Sequence, residues 1–350
     1  MNKIHLSVLL IGLVVLASCK PSTDPQFAPI PMSGGNDILV SGTRAVILAN
    51  GSNTIYTVDL SQIPSGDRDL LMLSEGNFGK TNSTLNSVLF EKIGRIIDTN
   101  LEDDILPDSL HDIQSSIPLG LNAPNKMALI APDTLLVTRR NATSAALIDL
   151  NSSEIVDSIP LSGASIAVAV LNHKAYITTG ATEYGGPFHV VVFDLVSRKI
   201  TKTIPLPESP EQALADTASG YVIIGTSGDG STTSSELYFL NTTSDVIVDS
   251  LTPGTPSDDP ELTTGSKHFI IMGTKIFPLT VPSHQMAAPL IDGPTAYYKG
   301  MYDATSNALY LGNPGDYTNP GTVDAYDAFS GKLLWSRPAG IIPGHFAFYH

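Results

Sequence analysis

The sequence predicts an all-β chain, a seven-bladed β-propeller, on three observations. A strand-turn-strand unit recurs about every 45 residues, Gly and Pro are abundant at 29 and 25 residues, and no long 3.6-periodic apolar segment follows the first residues. The clearest unit is Ala325-Tyr-Asp327-Ala-Phe-Ser-Gly331-Lys-Leu-Leu-Trp335, in which an apolar strand ends in Asp, a short turn follows and a second strand begins. Variants start at Ala146, Val191 and Leu237, and each reads as a β-hairpin.

The spacing turns these hairpins into a ring. Asp59 precedes Asp149 by 90 residues, Asp194 follows Asp149 by 45, and Leu240 to Asp327 spans 87. One degenerate unit therefore sits in each double gap, around Leu85 to Phe90 and around Lys275 to Leu279, which makes seven. Blades of four short strands at this period bury their faces against one another. Entry loops rich in Pro and Gly lead into inner strands at Asn125–Ile130, Ser165–Val170 and Glu211–Ala215. The chain also ends on such a strand, Pro343-Gly-His-Phe346-Ala-Phe348-Tyr-His350. The expected closure is pairing of N- and C-terminal strands in one blade, the C-terminal strand completing the blade that contains Ala45–Ala49.

The N-terminus carries Lys3, an apolar run from Leu6 to Leu16 and then Ala17-Ser18-Cys19, the pattern of a secretory signal peptide that is too short to span a bilayer. Leu16-Ala-Ser-Cys19 resembles the bacterial lipobox, which implies lipidation of Cys19. As the one cysteine in the chain, Cys19 leaves no disulfide to form. The predicted organisation is a signal peptide over 1–18, a lipidated tether over 19–36 and a single propeller over 37–350. That places the protein in the cell envelope as an outer-membrane lipoprotein, on the periplasmic or surface side.

Charge and motifs restrict the function. The net charge of −15 is dispersed along the chain, which argues against a nucleic-acid partner. Glu102-Asp103-Asp104 with Asp108 lacks the spacing of a calcium loop, and the eight histidines show no ligand spacing, so no metal or cofactor is implied. There is no His-Glu-x-x-His, no Gly-x-Ser-x-Gly and no phosphate-binding Gly-x-x-x-x-Gly-Lys. The glycines from Gly225 to Gly230 lie between two predicted strands and read as a hairpin loop. The sequence thus points to a monomeric propeller that binds rather than catalyses. Its candidate contacts lie on the longest predicted loops: Asn77 and Phe78; Tyr184, Phe188 and His189; Asp229; Tyr317 and Asn319. Aromatic rings on such loops stack on flat ligands or anchor a protein partner.

Three resemblances bear on this reading. Val190-Val-Val-Phe-Asp-Leu with His173-Lys-Ala-Tyr-Ile-Thr-Thr resembles the YVTN family of periplasmic and surface propellers, over most of residues 37–350. Leu71-Met-Leu-Ser74-Glu-Gly-Asn77-Phe-Gly79, together with the C-terminal Pro343-Gly-His-Phe-Ala-Phe, is similar to Bacteroidetes propeller lipoproteins with an Asn-Glu-Gly-Asn-Phe-Gly signature, although Ser74 replaces the first Asn. Some of that group capture vitamin B12 and pass it to a TonB-dependent transporter, which implies a small molecule or an outer-membrane protein as partner. Asp327-x-x-Ser-Gly331-Lys-Leu-Leu-Trp335 resembles the tryptophan-docking repeat of quinoprotein dehydrogenases, which recurs from blade to blade, whereas Trp335 is the single tryptophan here. Asp157-Ser-Ile and Asp249-Ser-Leu are among five tripeptides similar to an O-glycosylation signal of exported Bacteroidetes proteins.

Overall fold

The computed structural model describes residues 35–49, 54–61, 69–74, 88–92, 95–97, 113–119, 123–182, 185–229, 231–255 and 260–349. The acidic cluster at Glu102–Asp108 lies outside them. The first sheet opens with β1 (Gly35–Ser41), β2 (Arg44–Ala49) and β3 (Thr54–Asp59). The chain then leaves that sheet to build β4 (Asp69–Ser74), β5 (Val88–Lys92) and β6 (Arg95–Ile97), and returns with β7 (Ile113–Pro118) beside β3.

Five sheets follow without interruption. They are β8 to β11 (Pro124–Ala131, Thr134–Arg139, Ser144–Asp149, Glu154–Pro160), β12 to β15 (Ala164–Leu171, Lys174–Gly180, Phe188–Asp194, Lys199–Leu206) and β16 to β19 (Ser209–Asp216, Tyr221–Ser227, Leu237–Asn241, Val246–Leu251). Then come β20 to β23 (Glu261–Leu262, His268–Met272, Lys275–Thr280, Gln285–Met286), with β24 (Ile291–Asp292) also on β22, and β25 to β28 (Lys299–Asp303, Ala308–Asn313, Thr322–Asp327, Leu333–Pro338). Last, β29 (Pro343–Tyr349) pairs with β4 as the first strand of the β4–β6 sheet. The described residues thus make seven antiparallel sheets.

The closure differs from the sequence expectation. The C-terminal strand does not complete the sheet of Ala45–Ala49, because Gly35–Ser41 turns at Gly42, with φ +59°, and fills that first position itself. The sheet lacking a first strand is the one begun by β4, and β29 supplies it. The first sheet also starts two residues inside the segment assigned to the tether.

Burial within each sheet explains the sequence pattern. Second and third strands are covered on both faces by neighbouring sheets, so β9 and β13 read as continuous apolar runs and are almost wholly buried. Fourth strands such as β15 face solvent along most of their length. Among the described residues six apolar clusters each draw on two neighbouring sheets; one joins Leu70, Met72 and Phe346 to Met301, Tyr310 and Val323, with Trp335 packed against it. Trp335 therefore supports a junction between sheets, its ring centroid 5.8 Å from that of Tyr310.

The recurrent Asp is a turn device. The Asp149 carboxylate accepts the amides of Asn151 and Ser152, Asp194 that of Ser197, and Asp327 those of Phe329 and Ser330. This is the Asx geometry that closes the hairpin between third and fourth strands. In the unit beginning at Leu237 the role falls to Asn241, one residue beyond Leu240, which accepts from Thr243 and Ser244.

Gly312 shows how tightly the closing sheet is set. A Cβ there would lie 1.9 Å from the carbonyl oxygen of Pro343, so backbone would have to move. Gly312→Ala should therefore cost about 1–3 kcal/mol, the usual range for overpacking. Gly293→Ala, with nothing within 4 Å of the added carbon, should be close to neutral. Denaturant melts of the two variants check this.

Candidate functional site

Antiparallel order within each sheet puts the start of the first strand on the same face as the loop between the second and third strands. The seven first strands β1, β8, β12, β16, β20, β25 and β29 surround one channel of about 390 Å³, and each contributes lining residues. The face on which these strands start holds one end of this channel, here called its mouth.

Polar side chains gather at that mouth for a local reason. Five of the first strands break register at their entry, between Gly35 and Asp37, Pro124 and Met127, Ser165 and Val168, Pro210 and Gln212, and Pro343 and His345. A bulge adds a residue to one strand and re-aims the side chains beside it. Proline suits such an entry because it demands no ladder hydrogen bond. Asp37, Lys126, Gln212, Glu261, Lys299 and His345 accordingly line the channel, one from each of six sheets.

These groups tie neighbouring sheets together. Asp37 Oδ2 accepts the amide of Met127 at 3.0 Å, and Gln212 Oε1 accepts the amide of Leu262 at 2.9 Å. Asn125 Nδ2 donates to the Ile166 carbonyl at 2.6 Å, and Ser165 Oγ accepts the Arg139 amide at 2.8 Å. Lys299 Nζ donates to Glu261 Oε1 across a half-buried ion pair. Arg140 reaches Glu211 at 3.7 Å, passing over the β12–β15 sheet, whose first strand begins with the small residues Ala164 and Ser165.

One further buried group lies between sheets. His268 is 4% exposed, its Nδ1 is 3.5 Å from the Thr263 carbonyl oxygen, and its Nε2 has no partner among the described residues. Burial pushes the imidazole pKa below its ordinary value, against a smaller opposing pull from Asp216. The unfolded chain then binds the proton more readily. The stability from neutral His268 is complete above about pH 6.5 and is lost as pH falls below it. The melting temperature should drop between pH 7.5 and 5.5, and His268→Gln should flatten that dependence.

The residues proposed from sequence fall into three groups. Cys19, Asn77, Phe78 and Tyr184 lie outside the described residues. Phe188 and His189 are half-buried at the start of β14, Phe188 packing against the apolar cluster of its own and the next sheet. Asp229, Tyr317 and Asn319 lie on second-to-third-strand loops, the mouth side of the ring. Asp229 accepts the amides of Ser231, Thr232 and Thr233 and so holds its own loop, with the Thr232 hydroxyl first and these amides after it drawing its pKa far below the usual carboxylate range. Asn319 likewise donates to Asp316. Tyr317 is 49% exposed, and its ring meets Tyr298 edge-on at 6.4 Å. Tyr298 precedes Lys299, whose ammonium lies 5.0 Å from the Tyr298 ring centroid. Among these, Tyr317 is connected through Tyr298 to a channel-lining residue, Lys299.

Sequence reading missed the channel residues, although a signal exists. Pro124-Asn-Lys126, Pro210-Glu-Gln212, Pro260-Glu261 and Pro343-Gly-His345 each place a polar residue one or two positions after a proline at the entry of a first strand.

The chain matches no described protein family, and no curated protein matches it in sequence. In structure, hydrazine synthase of Kuenenia stuttgartiensis is similar over 93% of this chain and 92% of that one, with a TM-score of 0.61 and 11% identity. The fold is a β-propeller. Altogether 1260 solved chains match, and a likeness so widely shared identifies architecture and not activity.

Proposed function

We propose that the chain is a non-catalytic cell-envelope lipoprotein that binds a small ligand at the mouth of its axial channel. The observation that carries this reading is the convergence of polar side chains from six sheets on a cavity of about 390 Å³, within the usual size range of small-molecule sites. The lipobox at Cys19 supports attachment to the envelope. The YVTN-like repeats and the Glu75-Gly-Asn77-Phe-Gly79 signature support kinship with Bacteroidetes surface propellers and delivery to a TonB-dependent transporter. Among the described residues no group of three His, Cys, Asp or Glu is placed to hold a metal ion.

A second reading, an envelope scaffold that works through protein contacts, draws on exposed apolar residues of fourth strands and their turns, such as Val156, Val196 and Phe329. Thermal melts of the detergent-solubilised protein with cyanocobalamin, neutral sugars, amino acids and short peptides separate the two. A raised melting temperature with one compound supports capture. No shift with any of them, together with a stoichiometric protein partner on affinity purification, favours the scaffold.

A further inference from the structure

The chemistry of the mouth points to a ligand class, given the ligand-binding reading above. The chain carries a net charge of −15, yet among the described residues the channel lining holds two acids, Asp37 and Glu261, two lysines, Lys126 and Lys299, and one histidine, His345. Local charge is therefore balanced in a molecule that is otherwise strongly acidic. A charged ligand would meet one partner and be opposed by another of equal number. The Glu261–Lys299 pair offers an acceptor and a donor side by side, which suits hydroxyl groups, since each both donates and accepts.

Beside this pair lies an aromatic ledge. Tyr317 and Tyr298 meet at 83°, forming a corner with one half-exposed ring. The loop under Tyr317 is tied to itself: Asp316 accepts the amides of Thr318 and Asn319 and the Asn319 side-chain amide, at 2.7–2.9 Å. Tyr317 itself sits at φ +63°, where a bulky residue is strained and glycine is at ease. Glycine would therefore be accommodated at this position without strain.

We propose that the channel mouth is a subsite for a neutral saccharide, with one sugar ring stacked on Tyr317 beside Tyr298 and its hydroxyls bonded to the Glu261–Lys299 pair. The apolar face of a sugar packs on an aromatic ring, while its hydroxyls need paired donors and acceptors and no net charge.

Saturation-transfer NMR and calorimetric titration of the full-length protein in detergent, with N-acetylglucosamine, maltose and cellobiose as probes and cyanocobalamin alongside, test this. At least one sugar should bind. Tyr317→Phe should retain that affinity, and Tyr317→Gly should weaken it about tenfold, the order of one aromatic stacking contact. Because glycine relieves the strained φ, Tyr317→Gly should melt no lower than wild type, which separates lost binding from lost fold. Absence of binding by all three sugars at millimolar concentration overturns the saccharide class, and cyanocobalamin binding in that case leaves ligand capture standing. A sugar that binds Tyr317→Gly as tightly as wild type overturns the stacking ledge.

Discussion

Deleting Gly344–His350 should give a protein that is insoluble or melts far below its parent. In β29, Phe346 lies opposite Met72, Ala347 opposite Leu71 and Phe348 opposite Leu70, and the strand packs between β25 and β1. Phe346 and Ala347 are buried, as are Leu70, Leu71 and Met72 beneath them. Burial of a large apolar side chain contributes about 1.5–3 kcal/mol. Losing two Phe and uncovering three neighbours therefore approaches a whole domain stability of about 5–15 kcal/mol. The deletion also strips an inner wall from the channel and opens the edge of β4 to pairing with other chains. A thermal scan with a sedimentation assay checks this; a truncated chain that melts with the parent would mean β29 contributes little to the ring.

The second large effect concerns the anchor. On the proposed lipidation of Cys19, Cys19→Ser should move the protein almost completely from the membrane fraction to the soluble fraction, because that proposal assigns the attachment to the lipid added at this residue. Among the described residues no helix is long and apolar enough to cross a membrane. Labelling cells with a tritiated fatty acid reads the same event directly. Label retained on Cys19→Ser, or wild type released by salt alone, would remove the lipid anchor from the account.

Much of the fold was legible because its signals are local. The apolar run ending in Asp at 149, 194 and 327 is visible in sequence since each of these Asp closes its own turn, and the turn needs nothing from the rest of the chain. The degenerate units were legible from the period, and the strands β5 (Val88–Lys92) and β22 (Lys275–Thr280) lie where it placed them. The strand exchange was not legible. Nothing local in Asp69–Ser74 states that its partner is Pro343–Tyr349, more than 250 residues away, rather than a nearer apolar strand. The site was harder still, since Asp37, Lys126, Gln212, Glu261, Lys299 and His345 are ordinary polar residues, one per sheet, that meet only when the ring closes. Loop aromatics attracted attention instead, and among the described ones Tyr317 is connected to a lining residue by way of Tyr298.

A paired calorimetric titration tests the central claim, ligand binding at the charge-balanced mouth, most directly. Wild type and the double variant Glu261→Gln/Lys299→Met are titrated with the three sugars and cyanocobalamin under the same conditions, after hydrogen exchange has shown that β20 and β25 remain protected. The account predicts a saturable isotherm for wild type with at least one of these compounds and its loss or severe weakening in the double variant. Identical isotherms for the two proteins, or no heat from any compound with wild type, would contradict it.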